Sequence, residues 1–297
     1  MRFEINRMEM QAAAKNAAKV APARAPIDVL NGILVECIED TADVFLTATN
    51  YSVSIQQKVC ASIGEGGSIL VSARLLQNML SLLSGDFVTF SAEKPDIVTV
   101  SAGSCVYEIL CLPAKHYPKP VMPFPEETAK LSGICSLAKR TLFAVSTDEH
   151  RPALQCVSVK LRGNAIHAAA CDGSRMMLVR DAASSPDERE FLLPGQSLQM
   201  LASVSTDKDV FEVGDIGNEI VFTRENMMFS MKKLPGDYMD VNTVIKSIVP
   251  AYSAVISAEE ILKCLELIRI SAGSQPVNLV LSKDAILLKC DGEHGDV

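Results

Sequence analysis

Ser136-Leu137-Ala138-Lys139 sets a hydroxyl and an amine one helical turn apart, the spacing at which a lysine activates a serine for acyl transfer. The Ser-Asp-Asn and Lys-Thr-Gly that complete such a site are missing, and any helix produces this pair by accident. Ser146, Asp148 and His150 supply the residue types of a hydrolytic triad, but triads are assembled across loops rather than within five residues. The histidines at 116, 150, 167 and 294 lie far apart and none belongs to an HExxH. Gly64-Glu65-Gly66-Gly67 lacks the spacing and the lysine of a phosphate loop, and Asp172 before Gly173 reads as a turn-former rather than a general base. Cysteines at 37, 60, 105, 111, 135, 156, 171, 264 and 290 contain no CxxC, which speaks against a zinc knuckle or a disulfide framework and for reduced, buried thiols in the cytosol. The reading is therefore non-catalytic, with no metal and no cofactor.

The remaining chemistry is charge. Lys and Arg total 28 against 36 Asp and Glu, a net charge of −8 that ordinarily opposes nucleic-acid binding. That holds only for evenly spread charge; an acidic protein can carry one basic face. Hydrophobic residues at 48% support filled cores. Apolar runs such as 109–112 fall far short of a membrane span, and MRFEINRMEM is too charged for a signal peptide.

The elements that would position these charges recur. Leu112-Pro113-Ala114-Lys115-His116-Tyr117 returns as Leu234-Pro235-Gly236-Asp237-Tyr238, a separation of 122 from residue 112 to 234. The same offset relates Asn50, at the end of Leu46–Asn50, to Asp172, at the end of His167–Asp172, and Val71–Leu76 to Leu193–Leu198, which suggests duplicated modules. In the first, a strand at 2–5 leads to an alanine-rich helix over 7–20. Strands follow at 33–38, 44–48 and 51–55, then a turn at 64–67. A strand at 68–71 and a helix over 72–83 capped by Ser72 come next, then strands at 87–91, 97–101 and 104–112. The second module places helices at 131–146 and 195–203. A third begins with a strand at 253–256, a helix capped by Ser257 and running to Ile270, and strands at 278–282 and 285–290. The expected fold is α+β, two helices per module packed on antiparallel-rich sheets, with domains 1–122, 123–247 and an incomplete 248–297.

Four stretches in this order and spacing make the chain resemble the bacterial sliding clamp, the β subunit of DNA polymerase III: Arg24–Leu34, Phe143–Leu154, Cys171–Arg175 and Leu234–Tyr238. The resemblance implies the DNA-clamp fold, a ring-forming homodimer of three-domain subunits with helices lining a hole for duplex DNA. Its place would be the cytoplasm, at the nucleoid. The helical residues agree with that picture. Lys15 and Lys19 share one helix face while Ala13, Ala14, Ala17 and Ala18 supply the packing side. Lys139 and Arg140 fall in the equivalent second helix, Lys263 in the third, Arg24 in the loop after the first, and Arg74 in the next helix. Binding would be independent of base sequence, since no recognition helix or aromatic platform is evident.

The resemblance also implies a pocket that captures short hydrophobic peptides from the polymerase and the clamp loader. Carried over by motif, it contains Leu154, Cys171, Gly173, Ser174, Arg175, Met176, Met239, Thr243 and Val244. The family usually has His or Tyr at the position of Ser174, Pro at that of Met239, and a basic residue near Thr243. These departures keep open a second reading, a clamp-like paralogue or regulator that binds peptides without encircling DNA.

Overall fold

Asn6 closes the first strand and opens the first helix: its side chain accepts hydrogen bonds from the backbone N–H groups of Met8 and Glu9 at 3.0 and 3.2 Å. Met10, Ala13, Ala14, Ala17 and Val20 then recur at helical spacing and are buried. Alanine on this face lets the helix lie close to the strands beneath it. Ser72 starts the second helix in the same way, its hydroxyl accepting from the Leu75 N–H at 3.5 Å.

The computed structural model describes residues 1–94, 96–112, 114–182, 188–272, 275–282, 285–292 and 295–296. Pro113 of the first repeated motif and His294 lie outside the described residues. The chain forms two compact units, Met1–Met239 and Asp240–Val297.

The first unit opens with β1 (Arg2–Asn6), α1 (Arg7–Val20), β2 (Gly32–Ile38), β3 (Asp43–Thr49), β4 (Val53–Glu65) and β5 (Gly67–Ser72). It continues with α2 (Ala73–Leu82), β6 (Phe87–Lys94), β7 (Ile97–Ala102) and β8 (Cys105–Leu110). The order then repeats: β9 (Ala129–Ser132), α3 (Ile134–Thr141), β10 (Cys156–Arg162), β11 (Ala165–Cys171), β12 (Met176–Ala182) and β13 (Arg189–Pro194). Next come α4 (Gly195–Ser203), β14 (Val210–Ile216), β15 (Glu219–Arg224) and β16 (Met227–Lys232). The 122-residue offset that relates Thr49 to Cys171 also relates Ser54 to Met176, so the β3–β4 and β11–β12 hairpins pair in matching register. It likewise carries β8, from residue 105, onto β16, from residue 227. The antiparallel α+β architecture expected from sequence is the one observed.

Every strand pairing in the first unit is antiparallel. One sheet runs β8-β7-β6-β1-β4-β16-β15-β14-β9, with β3, β2 and β5 continuing from β4; a second runs β12-β11-β10-β13. The long strand β4 joins the repeats: its first half pairs with β16, from Met231 opposite Val53 to Met227 opposite Gln57. Its second half pairs with β1. Phe3 and Phe90 stack at 4.9 Å between ring centres, and Phe211 meets Phe222 edge-on at 6.0 Å. Gly214 is small by necessity, because a Cβ there would stand 2.4 Å from Pro125 Cβ where the inter-repeat linker crosses β14.

Three expectations are corrected. The 131–146 stretch is not one helix: Gly133, at φ +70°, separates β9 from α3, and Leu131 belongs to a strand paired with β14. Gly64 continues β4, so the turn sits at Gly66. Residues 253–256 form no strand.

The second unit contains α5 (Val241–Ser247), α6 (Ala258–Ala272), β17 (Asn278–Leu281), β18 (Ile286–Lys289), β19 (Asp291–Gly292) and β20 (Gly295–Asp296). Ser257 caps α6 through the Glu260 N–H at 3.4 Å. Ile268 and Cys290 are buried together with Val277 and Leu288 packed against them. Among the described residues, no helix is long and apolar enough to cross a membrane.

Candidate nucleic-acid interface and peptide pocket

The helices of the first unit form one layer: α1 packs on α2 and reaches α4, and α4 packs on α3. Their buried faces look toward the sheets, so cations on the opposite faces share the outer surface of that layer. Lys15 and Lys19 are exposed one turn apart on α1, Arg24 is exposed in the following loop, Arg74 in the first turn of α2, and Lys139 on α3. Among the described residues, no carboxylate pairs with Lys15, Arg24, Arg74 or Lys139. Lys19 reaches across to α4, where its ammonium donates to the Ser203 carbonyl at the helix end, a favourable position for a cation. Burial, and then the like charge of Lys15, lowers its pKa.

Two candidates are neutralised locally. Arg140 is half-buried and pairs with Asp181 of β12 through both terminal nitrogens. In the second unit, Lys263 pairs with Glu259 one turn earlier at 2.8 Å.

Of the residues that resembled catalytic groups, Ser146, Asp148 and His150 form a turn. Ser146 Oγ accepts from the Asp148 N–H at 3.1 Å, and Asp148 Oδ1 accepts from the His150 N–H at 3.0 Å. Ser136 donates its backbone N–H to Asp207 at 2.7 Å, while Lys139 faces solvent. Among the described residues, no three His, Cys, Asp or Glu side chains converge on a metal-sized space. Burial raises the Cys37 thiol to about 12 and that of Cys156 to about 11.

The candidate pocket residues of the first unit come together around the β11–β12 turn. Asp172 Oδ1 accepts from the backbone N–H groups of Ser174 and Arg175 at 2.9 and 3.0 Å, and Arg175 Nε donates to Asp172 Oδ2 at 2.8 Å. The two backbone bonds, Ser174 first, hold the Asp172 carboxyl below the usual carboxylate range; slight desolvation opposes them and the Arg175 side chain assists. Gly173 adopts φ +95°, the left-handed region that suits glycine, and a Cβ there would stand 3.4 Å from Arg151 Nη1. The Arg175 guanidinium lies over the Phe143 ring at 5.7 Å. Leu154 and Met176 are half-buried, Cys171 is buried, and the Leu154 carbonyl accepts from the Ser146 N–H at 2.9 Å.

The chain returns to this place at 234–239. A Cβ at Gly236 would come within 3.5 Å of Ala153 Cβ, and the buried Tyr238 hydroxyl is raised first by desolvation and then by the nearby Cys171 and Cys156 thiols. Met239 ends the unit, half-buried. Thr243 and Val244 belong to the second unit, on α5, where Thr243 Oγ1 bonds Asp240 at 2.6 Å. Sequence reasoning passes over Phe143, Arg151 and Tyr238, although each lies in a stretch that carries the resemblance. An aromatic and an arginine at a loop beside a glycine turn were the available signal.

Tandem antiparallel modules that share a sheet and line one side with helices define the clamp class of fold. The DNA polymerase sliding clamp of Bacillus subtilis superimposes with a TM-score of 0.86 at 21% identity, covering 100% of this chain and 82% of that one. The β subunit of Streptococcus pyogenes gives 0.87 at 22% identity, with the same coverage. Two family models match: DNA polymerase III beta subunit, N-terminal domain, over residues 1–123, and its central domain over residues 130–240. Among curated sequences, the beta sliding clamp of Bacillus subtilis is 25% identical over 260 residues, 82% of this chain and 68% of that protein. The one of Synechococcus elongatus is 26% identical over 293 residues, 96% and 78% respectively. The chain belongs to the DNA polymerase III β-subunit family, the bacterial sliding clamps.

Proposed function

We propose that the chain is a DNA sliding clamp whose helical layer faces duplex DNA inside a ring of like subunits, tethering a DNA polymerase without performing chemistry. The observation that carries this reading is the common outer surface of α1–α4, where Lys15, Arg24, Arg74 and Lys139 stay exposed, with no carboxylate partner among the described residues, in a protein of net charge −8. A few such cations give weak, sequence-independent phosphate contacts, which permit sliding while ring topology prevents escape. Lys19 adds a fifth charge, held in place by α4.

The cluster of Leu154, Cys171, Gly173 to Met176, Phe143 and Tyr238 would receive a short hydrophobic peptide of the polymerase or loader. It combines apolar side chains with few polar anchors, and its methionine can adapt to different side chains. Arg175, braced by Asp172 and Phe143, would hold a polar group at its mouth. The domains would run 1–122, 123–247 and 248 onward, and a protein of this role works in the cytoplasm at the nucleoid. The pairing of Arg140 with Asp181 favours the second reading, a peptide-binding regulator, to the extent that it thins the positive surface.

Processive synthesis on circular DNA with a matched polymerase and loader separates the two. Reversing charge at Lys15, Lys19 and Lys139 should abolish loading onto the circle, while peptide capture stays intact. Undiminished loading overturns the DNA-lining role of these helices.

A further inference from the structure

Cys156 opens β10 and Cys171 closes β11, two strands that pair antiparallel. The register that sets Arg162 opposite Ala165 and Ser158 opposite Ala169 brings Cys156 opposite Cys171 two residues further on. Directly opposed residues of such a pair have Cα atoms about 4.5–5.5 Å apart, within the roughly 4.4–6.8 Å that a disulfide spans. Both cysteines are free thiols. Among the described residues, the other strand cysteines face no second one: Cys37 is opposite Val44 and Gly67, Cys60 opposite Asp43, and Cys105 opposite Ala102.

The two side chains share one face of the sheet. Val157, Val159, Ile166, Ala168 and Ala170 alternate with them and belong to the main core, so the cysteines project from the opposite face. Tyr238 returns over that face. Burial first, and then the charge of the Cys171 and Cys156 thiols, raises its hydroxyl, which sets both sulfurs near one oxygen. Cys171 is in turn opposite Met176 on β12, so the pair adjoins the residues proposed to receive a peptide. The two sulfurs are not equivalent. Cys156 is 0% exposed and burial raises its thiol to about 11, whereas Cys171 is 7% exposed at the β11–β12 turn and meets an oxidant first.

We infer that Cys156 and Cys171 form a reversible disulfide across β10 and β11, with a small-molecule disulfide such as that of glutathione as oxidant, and that closing it weakens capture of a partner peptide. The Cys171 thiolate attacks one sulfur of the small disulfide, forming a mixed disulfide and releasing one thiolate. The Cys156 sulfur then attacks Cys171 Sγ and releases the second. Each leaving thiolate takes up the proton its attacker gave up, so two protein thiols are oxidised and one small disulfide becomes two thiols. In the reduced protein the Gly173 N–H donates to Cys171 Sγ at 3.4 Å. Closure turns that sulfur toward Cys156 and strips the Gly173 N–H of its acceptor, which loosens the turn carrying Ser174, Arg175 and Met176. The effect on partners rests on the peptide-binding reading; the disulfide itself does not.

The test uses the full 297-residue chain, reduced, treated with excess glutathione disulfide, blocked with N-ethylmaleimide and mapped by mass spectrometry without reductant. A Cys156–Cys171 linkage within one chain should dominate and vanish with dithiothreitol. The exposed Cys60 and Cys264 take up glutathione as background that the mapping separates. In Cys156→Ala, verified as folded by circular dichroism, Cys171 should instead retain glutathione. The oxidised wild-type protein should show a displaced Gly173 amide resonance. It should also bind a labelled matched polymerase several-fold more weakly in the absence of DNA, with recovery in dithiothreitol. Cys171→Ala should bind equally before and after the same treatment. Absence of the 156–171 linkage, or its formation no more often than other cysteine pairs, overturns the disulfide. Equal polymerase binding by the reduced and linked protein, or an equal loss in Cys171→Ala, overturns its effect on capture. The peptide-binding reading fails separately: if the linkage forms and the Gly173 resonance moves, but the reduced chain binds no polymerase, the disulfide stands and that reading falls.

Discussion

At the level of single residues, the β11–β12 turn depends on one ionised carboxylate. Asp172 accepts two backbone N–H groups and one guanidinium, and each of these bonds favours its charged form. Its folded pKa therefore lies below the unfolded value of about 3.9, and the stabilisation it provides is complete above that value. As pH falls through the folded pKa the contribution is lost, so the turn loosens in acid below about pH 4. Amide chemical shifts of Ser174 and Arg175 should stay constant from about pH 8 to 5 and move together below about 4, and Asp172→Ala should abolish the coupled movement. A second residue-level expectation concerns charge: Asp181→Asn releases Arg140 to the helical surface and should strengthen binding to linear duplex DNA several-fold at low salt, measured by fluorescence anisotropy.

Among the elements, the β16–β4 joint bears most on stability. Phe229 is fully buried on β16 opposite Ile55, and truncation to alanine removes a ring from a site that cannot readily collapse. Phe229→Ala should cost about 3–5 kcal/mol in urea unfolding and split a single transition into two, one for each repeat. This joint was not legible in the sequence, because its two strands lie far apart in the chain and no local pattern names a partner. What was legible was local: the alanine face of α1, the caps at Ser72 and Ser257, and the hairpins with their 122-residue offset. The 131–146 error has the same origin. Ile134, Leu137, Ala138 and Thr141 keep helical spacing, but Leu131 is claimed by β14, a pairing that only the tertiary fold reveals. At the sites, exposure of Lys15 and Lys139 followed from helical periodicity, whereas the capture of Arg140 by Asp181 required knowing that β12 passes beside α3.

For the whole molecule, topology and affinity are separable. On linear duplex, whose ends let a ring slip free, binding should weaken steeply with salt. The slope of log K against log salt should fall by roughly 0.9 for each phosphate left without its cation when Lys15, Lys19 or Lys139 is replaced by alanine. On closed circles the loaded wild-type protein should persist at salt concentrations that strip it from linear DNA. A gel-filtration comparison of the two templates at rising salt measures both effects at once.

The sheet that crosses the repeat boundary also bears on where an annulus built from such chains comes apart. The β16–β4 seam is tethered by the polypeptide between its two strands, so whenever it parts its halves remain at an effective concentration in the millimolar range and re-form at once. A seam made of the same kind of hydrogen bonds between separate molecules lacks that tether and dissociates by dilution. In the proposed ring, breathing that admits a nucleic acid would thus concentrate at intermolecular seams, and a loading factor would need only to pry open a joint that covalent continuity does not guard.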